Sequence, residues 1–226
     1  MIPWVQLDTA TMPGGGGELR LMRRGAEYSI MSGSIELMNS RLSGSEEALA
    51  SLACARIGDR PSPHILIGGL GMGFTLRAAL ADLPDQGRVT VAELVPAVAA
   101  WARGPMAEIF AGSLADPRVT LRETDVVGLI REGRAAWDAI ALDVDNGPQG
   151  LSRAANDGLY TLEGLHAARR ALRPGGVLAV WSSAPDGAFT QRLGKAGFAV
   201  EEHQVRARGT RGARHVIWMG TAEARN

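Results

Sequence analysis

Ile65-Leu66-Ile67-Gly68-Gly69-Leu70-Gly71-Met72-Gly73-Phe74-Thr75-Leu76-Arg77 joins a short apolar run to a glycine-dense turn and then to a helical pattern. The order strand, loop, helix decides the fold class. A strand that ends in glycines lets backbone approach a ligand closely, and the following helix N-terminus offers unpaired N–H groups to polar ligand atoms. Glu93 stands twenty residues past Gly73, at the end of a second apolar run, Val89-Thr90-Val91-Ala92. A carboxylate there is placed to take both hydroxyls of a ribose. The stretch predicts a nucleoside-type cofactor.

Downstream of it, strands and helices alternate. Helices are expected over Thr75 to Leu83, Pro96 to Arg103, Val126 to Glu132, Leu159 to Leu172 and Ala188 to Ala196. Between them, Val89 to Glu93, Arg118 to Arg122, Trp137 to Asp143 and Val177 to Trp181 read as strands. Such alternation implies a parallel sheet covered on both faces. The tail departs from it, because Ala199 to Val205 and Ala213 to Met219 flank the turn Gly209-Thr210-Arg211-Gly212 and read as an antiparallel hairpin. The expected fold class is therefore α/β, a doubly wound, Rossmann-like, mostly parallel sheet with a C-terminal antiparallel hairpin.

Upstream, residues 1 to 13 show little pattern, and Gly14 to Gly17 read as a flexible turn. Glu18 to Arg24, Glu27 to Met31 and Ile35 to Met38 alternate or cluster apolar residues between glycines, so short strands forming a small β-appendage are expected. Ser43-Gly44-Ser45-Glu46-Glu47 supplies a helix start, serine capping and acids suiting the first turn, with the helix running to about Ile57. Arg60-Pro61-Ser62-Pro63 breaks the pattern. The expected division is residues 1–58 as appendage plus helix and 59–226 as nucleotide-binding domain.

Bulk properties narrow the function. With 226 residues, 46% hydrophobic and 21% charged, the chain supports one substantial core. Twenty-four basic and 24 acidic residues cancel, which argues against nucleic acid or an anionic membrane as partner. No basic start with a long apolar run marks a secretory signal, and no run of about eighteen apolar residues occurs, so a soluble cytoplasmic protein is expected. Cys54, the single cysteine, sits on an apolar helix face and reads as a buried structural thiol. His64, His166, His203 and His215 have no metal-ligand spacing, so no metal is expected. Arg206, Arg208, Arg211 and Arg214 read as a solvated hairpin tip, and Trp181 as a pocket wall. The apolar Ile30-Met31 and Leu37-Met38 strands cannot bury themselves alone, so a homodimer through the appendage or an exposed sheet edge is expected.

In an open parallel sheet, ligands sit beyond the carboxyl ends of the strands where strand order reverses. The successive strand ends carry the glycine loop (Gly69, Gly71, Gly73), then Glu93, then Thr124-Asp125, then Asp143-Val144-Asp145-Asn146-Gly147-Pro148. Asp125 serves either to bind adenine or to cap the helix starting at Val126. Two acids two residues apart on one turn, Asp143 and Asp145, can point into one pocket and attract a cationic amine. The alternative is that one binds cofactor while the other orders the turn.

Nicotinamide binding needs Gly-x-Gly-x-x-Gly, yet counting from Gly69 and Gly71 puts Phe74 at the third position. The Gly69-x-Gly71-x-Gly73 spacing resembles that of the class I S-adenosylmethionine-dependent transferases, and Leu172-Arg173-Pro174-Gly175-Gly176-Val177-Leu178 resembles their Leu-Lys-Pro-Gly-Gly turn. Within that superfamily, residues 18 to 181 are most similar to the spermidine synthase group of aminopropyltransferases. Gly68 to Arg77 looks like that group's Gly-Gly-Gly-Asp-Gly-Gly-x-Leu-Arg loop, and Asp143 to Pro148 like its Asp-Ser-Ser-Asp-Pro-x-Gly-Pro segment. The resemblance implies that Asp143 assists deprotonation of an attacking amine and that Asp145 holds the amine. It also implies Gly69, Gly71, Gly73, Glu93, Thr124, Asp125 and Asp143 as the cofactor-binding set.

Three departures accompany the resemblance. The loop aspartate that pairs with the aminopropyl amine is absent, Gly71 or Met72 standing in its region. The family's Tyr-His-Glu appears as Ser45-Glu46-Glu47, and the strand-four turn is one residue shorter. These departures make a methyltransferase using S-adenosylmethionine on a small acceptor, such as an amine, the leading expectation. The alternatives are a spermidine synthase-type aminopropyltransferase using decarboxylated S-adenosylmethionine, and a non-catalytic nucleoside-binding protein.

Overall fold

A computed structural model describes residues 2–15, 17–144, 157–208 and 211–222. The chain opens with a four-stranded antiparallel sheet: β1 (Val5–Thr11), β2 (Glu18–Arg24), β3 (Glu27–Ser32) and β4 (Ile35–Asn39), paired in that order. Helix α1 (Gly44–Ile57) follows. Then come β5 (His64–Gly68), α2 (Phe74–Asp82), β6 (Arg88–Glu93), α3 (Pro96–Arg103), the short α4 (Ala107–Phe110), β7 (Val119–Glu123), α5 (Val126–Glu132) and β8 (Trp137–Leu142). The chain is completed by α6 (Asp157–Tyr160), α7 (Leu162–Ala171), β9 (Leu172–Ser182), α8 (Gly187–Lys195), β10 (Phe198–Arg208) and β11 (Arg211–Ala222).

The seven strands of the second sheet lie in the order β10-β11-β9-β8-β5-β6-β7. Pairings β7/β6, β6/β5, β5/β8 and β8/β9 are parallel, whereas β11 runs antiparallel to both β9 and β10. The Rossmann-like sheet and terminal hairpin read from the pattern are thus present. Sequence order reverses between β5 and β8, which opens a crevice at their carboxyl ends.

Each face of this sheet carries its own core, as strand periodicity requires. Ile65, Ile67, Ala139, Ala141, Val177, Ala179, Ile217 and Met219 face one way and are buried with Leu49, Ala53 and Ile57 of α1 and with Leu76 and Ala79 of α2. Leu19, Leu21, Tyr28 and Ile30 of the appendage join that same cluster. Leu66, Ile140, Leu142, Leu178, Val180 and Trp218 face the other way, against Ile130, Leu165, Ala168, Phe189 and Leu193. Cys54 is buried among apolar neighbours, which push its thiol pKa up to about 12 and leave it an inert packing group.

Four local features differ from the sequence reading. Strand β1 occupies a stretch that shows little pattern, because nearly all its side chains are exposed and no buried face imposes alternation. It is fixed instead by pairing with β2 and by the Trp101 indole N–H, which donates to Asp8 at 2.7 Å. The glycines after it form a hydrogen-bonded reversal, Met12 N–H to the Gly17 carbonyl at 2.9 Å, in which Gly14, Gly15 and Gly17 all have positive φ. Ser43 stands at the N-cap of α1, yet its side chain makes no capping bond, whereas Asp125 caps α5 and Thr161 caps α7.

The fourth feature is the Pro-Gly-Gly segment, which belongs to a strand and does not end before it. Leu172 pairs with Trp137 while Val177 pairs with Ala139, so the residues between them bulge out of β9. The bulge brings Arg173 to Asp138, a 1%-exposed carboxylate on β8. Arg60, from the proline-rich connection, meets Oδ1 of Asp138, and the His64 N–H donates at 2.7 Å to Oδ2, the oxygen Arg173 also holds. One buried acid therefore ties the connection between α1 and β5 to the start of β9.

Replacing Asp138 with Ala leaves Arg60, Arg173 and the His64 amide without their shared acceptor. The expected loss is about 3 kcal/mol of unfolding free energy in denaturant titration. Glu123→Ala, which breaks the exposed pair with Arg103, is expected to cost about 0.5 kcal/mol.

Candidate active site

The crevice between β5 and β8 is a cleft holding about 740 Å³ of space, part of it open to solvent. Its floor is made by strand ends: Gly69 and Gly71 after β5, Glu93 to Val95 after β6, Thr124 to Val126 after β7, and Asp143 and Val144 after β8. Met12, Leu19, Leu37 and Met38 of the appendage form an apolar roof. The expected site residues Gly69, Gly71, Glu93, Thr124, Asp125 and Asp143 all line this one cleft.

Glu93 organises the floor. One carboxylate oxygen accepts the Leu70 N–H at 2.9 Å and the other the Val95 N–H at 2.8 Å, so the acid clamps the glycine loop to the start of α3. Burial raises its pKa, and the surrounding backbone N–H groups oppose that rise. The Leu94 and Gly71 backbone N–H groups bear on the same carboxylate, so Glu93 gathers the amides of the glycine loop and of the β6 end around its acceptor positions. Beside it, the Thr124 N–H donates to the Glu93 carbonyl at 2.9 Å, and Asp125 accepts the Val127 N–H at 2.8 Å as the cap of α5. Both readings of Asp125 meet here, since it caps a helix and also lines the cleft.

The glycines divide by what surrounds them. A Cβ on Gly69, whose φ is +89°, would stand 2.4 Å from the Asp143 carbonyl oxygen, so the loop and the end of β8 touch only because this residue has no side chain. Gly73 does not line the cleft. It sits in left-handed geometry before α2, where a Cβ would strike the Phe110 ring at 2.4 Å. Gly71 alone has slack, its nearest neighbour being the Met38 sulfur at 3.6 Å, and its backbone faces the cleft. Met72, which stands in the region of the family's loop acid, is buried in the core.

Asp143 reaches solvent only in part and is held by one side-chain donor, the Thr75 hydroxyl at 2.6 Å from Oδ2. Desolvation, and secondarily the negative charge of Glu46, push its pKa up to about 7. A carboxyl group titrating there can accept a proton near neutrality. Asp145 falls outside the described residues. Trp181 is absent from the cleft lining, packing edge-on to His215 with ring centroids 4.8 Å apart. Among the described residues no cluster of His, Cys, Asp and Glu has the arrangement of a metal site, and no helix is long and apolar enough to cross a membrane.

Sequence reasoning missed Thr75 and Glu46 as neighbours of Asp143. Thr75 carried a signal, since the first turn of a helix after a glycine loop points back at the adjacent strand end. Glu46 carried one as well, since Ser45-Glu46-Glu47 stands where the resembling family has Tyr-His-Glu, besides starting a helix.

No model of a known protein family matches the chain. Polyamine aminopropyltransferase 1 of Streptomyces coelicolor is 33% identical over 153 residues, which is 64% of this chain and 28% of that protein. The polyamine aminopropyltransferase of Mycobacterium tuberculosis is 31% identical over 165 residues, 69% of this chain and 30% of that protein. The chain thus spans about a third of the length of these relatives. Among solved structures, spermidine synthase from Thermotoga maritima superposes with a TM-score of 0.73 at 17% identity, over 96% of this chain and 72% of that one. A Burkholderia thailandensis 1,6-didemethyltoxoflavin-N1-methyltransferase gives 0.56 at 19% identity, over 80% of each chain.

The chain is accordingly similar in sequence to part of the polyamine aminopropyltransferases and similar in fold to spermidine synthase. Methyl transfer as the leading expectation is corrected: the relatives similar in sequence bear the aminopropyltransferase name, and the methyltransferase shares the fold alone. The expectation rested on a missing loop acid, whereas Asp143 lines the cleft from the end of β8 and feels the charge of Glu46.

Two outcomes follow from this geometry. Gly69→Ala is expected to lower stability by about 3 kcal/mol through its clash and its positive φ, against about 1 kcal/mol for Gly71→Ala, as measured by thermal unfolding. Because the Asp143 pKa is raised on folding, the proton-bound folded state is favoured below the ordinary carboxylate range. That stability is lost as pH rises from about 4 through about 7. Asp143→Asn is therefore expected to match the parent near pH 4 and to exceed it by on the order of 2 kcal/mol at pH 8.

Proposed function

We propose that the chain transfers an aminopropyl group from decarboxylated S-adenosylmethionine to an amine of the polyamine class. The observation that carries this reading is Asp143, a desolvated carboxylate of raised proton affinity on the floor of the cleft at the strand ends. The names of the sequence relatives support it.

In this reading the Gly69 and Gly71 backbone lies against the donor, Glu93 faces the ribose hydroxyls, and Thr124 and Asp125 flank the adenine. Met12, Leu37 and Met38 cover the donor and keep water from it. The acceptor nitrogen loses a proton to Asp143 and attacks the aminopropyl carbon bound to sulfur. A carbon–nitrogen bond forms as the carbon–sulfur bond breaks, and the sulfonium takes the electron pair to become the neutral thioether of methylthioadenosine. Most of the acceleration in such a displacement comes from holding the two reactants at near-attack distance, with the base adding its share.

The same reading places a second copy of the chain against the appendage. Ile2, Val5 and Leu7, before and on the edge strand β1, are 65%, 54% and 41% exposed, and Ile35 on the opposite edge strand is 58% exposed. Sedimentation as a dimer at micromolar concentration supports this, and a monomer there counts against it.

Incubation with decarboxylated S-adenosylmethionine and linear diamines of graded length is expected to yield methylthioadenosine and a lengthened amine. Formation of S-adenosylhomocysteine from S-adenosylmethionine, with no methylthioadenosine, would overturn the reading. Asp143→Asn is expected to lower kcat/KM by about 10²- to 10⁴-fold, and the parent rate to rise with pH through about 7 as Asp143 deprotonates.

A further inference from the structure

Asp143 also meets a polar group that takes no part in lining the donor cleft. The Thr75 hydroxyl that donates to its carboxylate lies 3.3 Å from the Glu46 carbonyl oxygen, which sets the first turn of α1 beside the end of β8. The Glu46 side chain is fixed in turn. Ser45, 1% exposed, donates its hydroxyl to Glu46 Oε2 at 2.8 Å, and His215 Nδ1 on β11 lies 2.9 Å from the same hydroxyl oxygen. A serine hydroxyl has one proton; with that proton given to Glu46, His215 must donate through Nδ1–H. Trp181 packs edge-on against the imidazole and holds its ring plane.

The charges around the pair are few. From α1 come Glu46 and the exposed Glu47, from α2 the neutral Thr75, from β8 Asp143 itself, and from β11 His215, which reaches the pair only through Ser45. Burial lowers the His215 pKa, so the ring is neutral at neutral pH. Among the described residues neither Glu46 nor Asp143 forms an ion pair. Through Thr75 the first turn of α1 is joined to Asp143, and among the described residues the charge that bears on the Asp143 carboxyl is that of Glu46.

We propose that Glu46 is a positioning residue for Asp143: a carboxylate pinned by Ser45 and His215 whose negative charge strengthens the neighbouring base for the step in which the acceptor amine gives up its proton. This rests on the reading of Asp143 as that base. The arrangement has a physical logic, because a carboxylate fixed in place exerts its field on its neighbour, whereas one free to swing into solvent is screened. The serine and histidine supply the fixing. A proton leaving the amine then meets a stronger acceptor than an ordinary aspartate, which suits a base working near neutrality.

The test reads Asp143 directly. Carboxyl-carbon NMR of selectively labelled protein, with the resonance assigned by its loss in Asp143→Asn, gives the titration midpoint without any substrate. Glu46→Gln is expected to lower that midpoint by about one pH unit, and the acid limb of the kcat/KM profile by the same amount. Glu46→Asp is expected to restore most of it. Ser45→Ala, which frees Glu46 without removing its charge, is expected to move the midpoint in the same direction by less, and it serves where Glu46→Gln does not fold. Exposed Glu108→Gln, carrying the same net-charge change, is expected to leave both curves in place. An Asp143 midpoint unchanged in folded Glu46→Gln and in Ser45→Ala overturns the proposal. Failure of the parent to release methylthioadenosine from any donor and amine pair overturns the aminopropyl reading instead, and the NMR midpoint still decides the coupling.

Discussion

The contact on which this structure turns is the one between Gly69 and the carbonyl of Asp143, two backbones so close that a single Cβ would not fit between them. It joins the loop after β5 to the end of β8 at the point where strand order reverses. Because the backbones meet, α2 begins directly beside β8, and Thr75 in its first turn reaches the Asp143 carboxylate. On the loop's other side the Leu70 amide is presented to Glu93. The cleft is the space left over once these close approaches are satisfied. The loop's glycines are therefore demanded first by protein packing, and only Gly71 has freedom left for a ligand.

Two acids, Glu93 buried and Asp143 partly so, share the floor of the cleft and are stabilised differently. Glu93 has amide N–H groups arranged around both oxygens, so its charged form is solvated by the protein that buries it. Asp143 has a single hydroxyl donor and a second carboxylate for a neighbour. The same desolvation acts on one group that backbone amides oppose and on another that has a single hydroxyl to oppose it. In the proposed reading, binding and proton transfer are thereby separated along the strand ends, with the ribose after β6 and the proton acceptor after β8.

What could be read from the sequence tracks what is local. The strand, loop and helix around Gly69 and the fully buried β8 were legible, because burial on both sheet faces leaves continuous apolar runs and glycine marks the turns. Strand β1 was not, since exposed side chains leave no periodic trace. The bulge in β9 reads from sequence as a turn before Val177 because Pro-Gly-Gly breaks helix and strand patterns alike, and only the partner strand shows that β9 already begins at Leu172. Gly73 looked like a ligand glycine by spacing, while its reason is Phe110, far along the chain. Ser45 and His215 stand 170 residues apart, and no window of sequence brings them together.

The reading of function failed for a related reason. A charge that selects a cationic substrate was sought on one loop, at the position where the family resemblance places it, and Met72 there argued against aminopropyl chemistry. A cleft's potential is the sum over every element that borders it, and field from a carboxylate does not depend on which element carries it. Here β8 and the first turn of α1 bring Asp143 and Glu46 together from positions that share no motif. The loop can lose its acid without the corner losing its negative charge, provided the remaining carboxylates are held in place and away from cations. The Ser45 and Thr75 hydroxyls supply the holding, one bonded to each carboxylate.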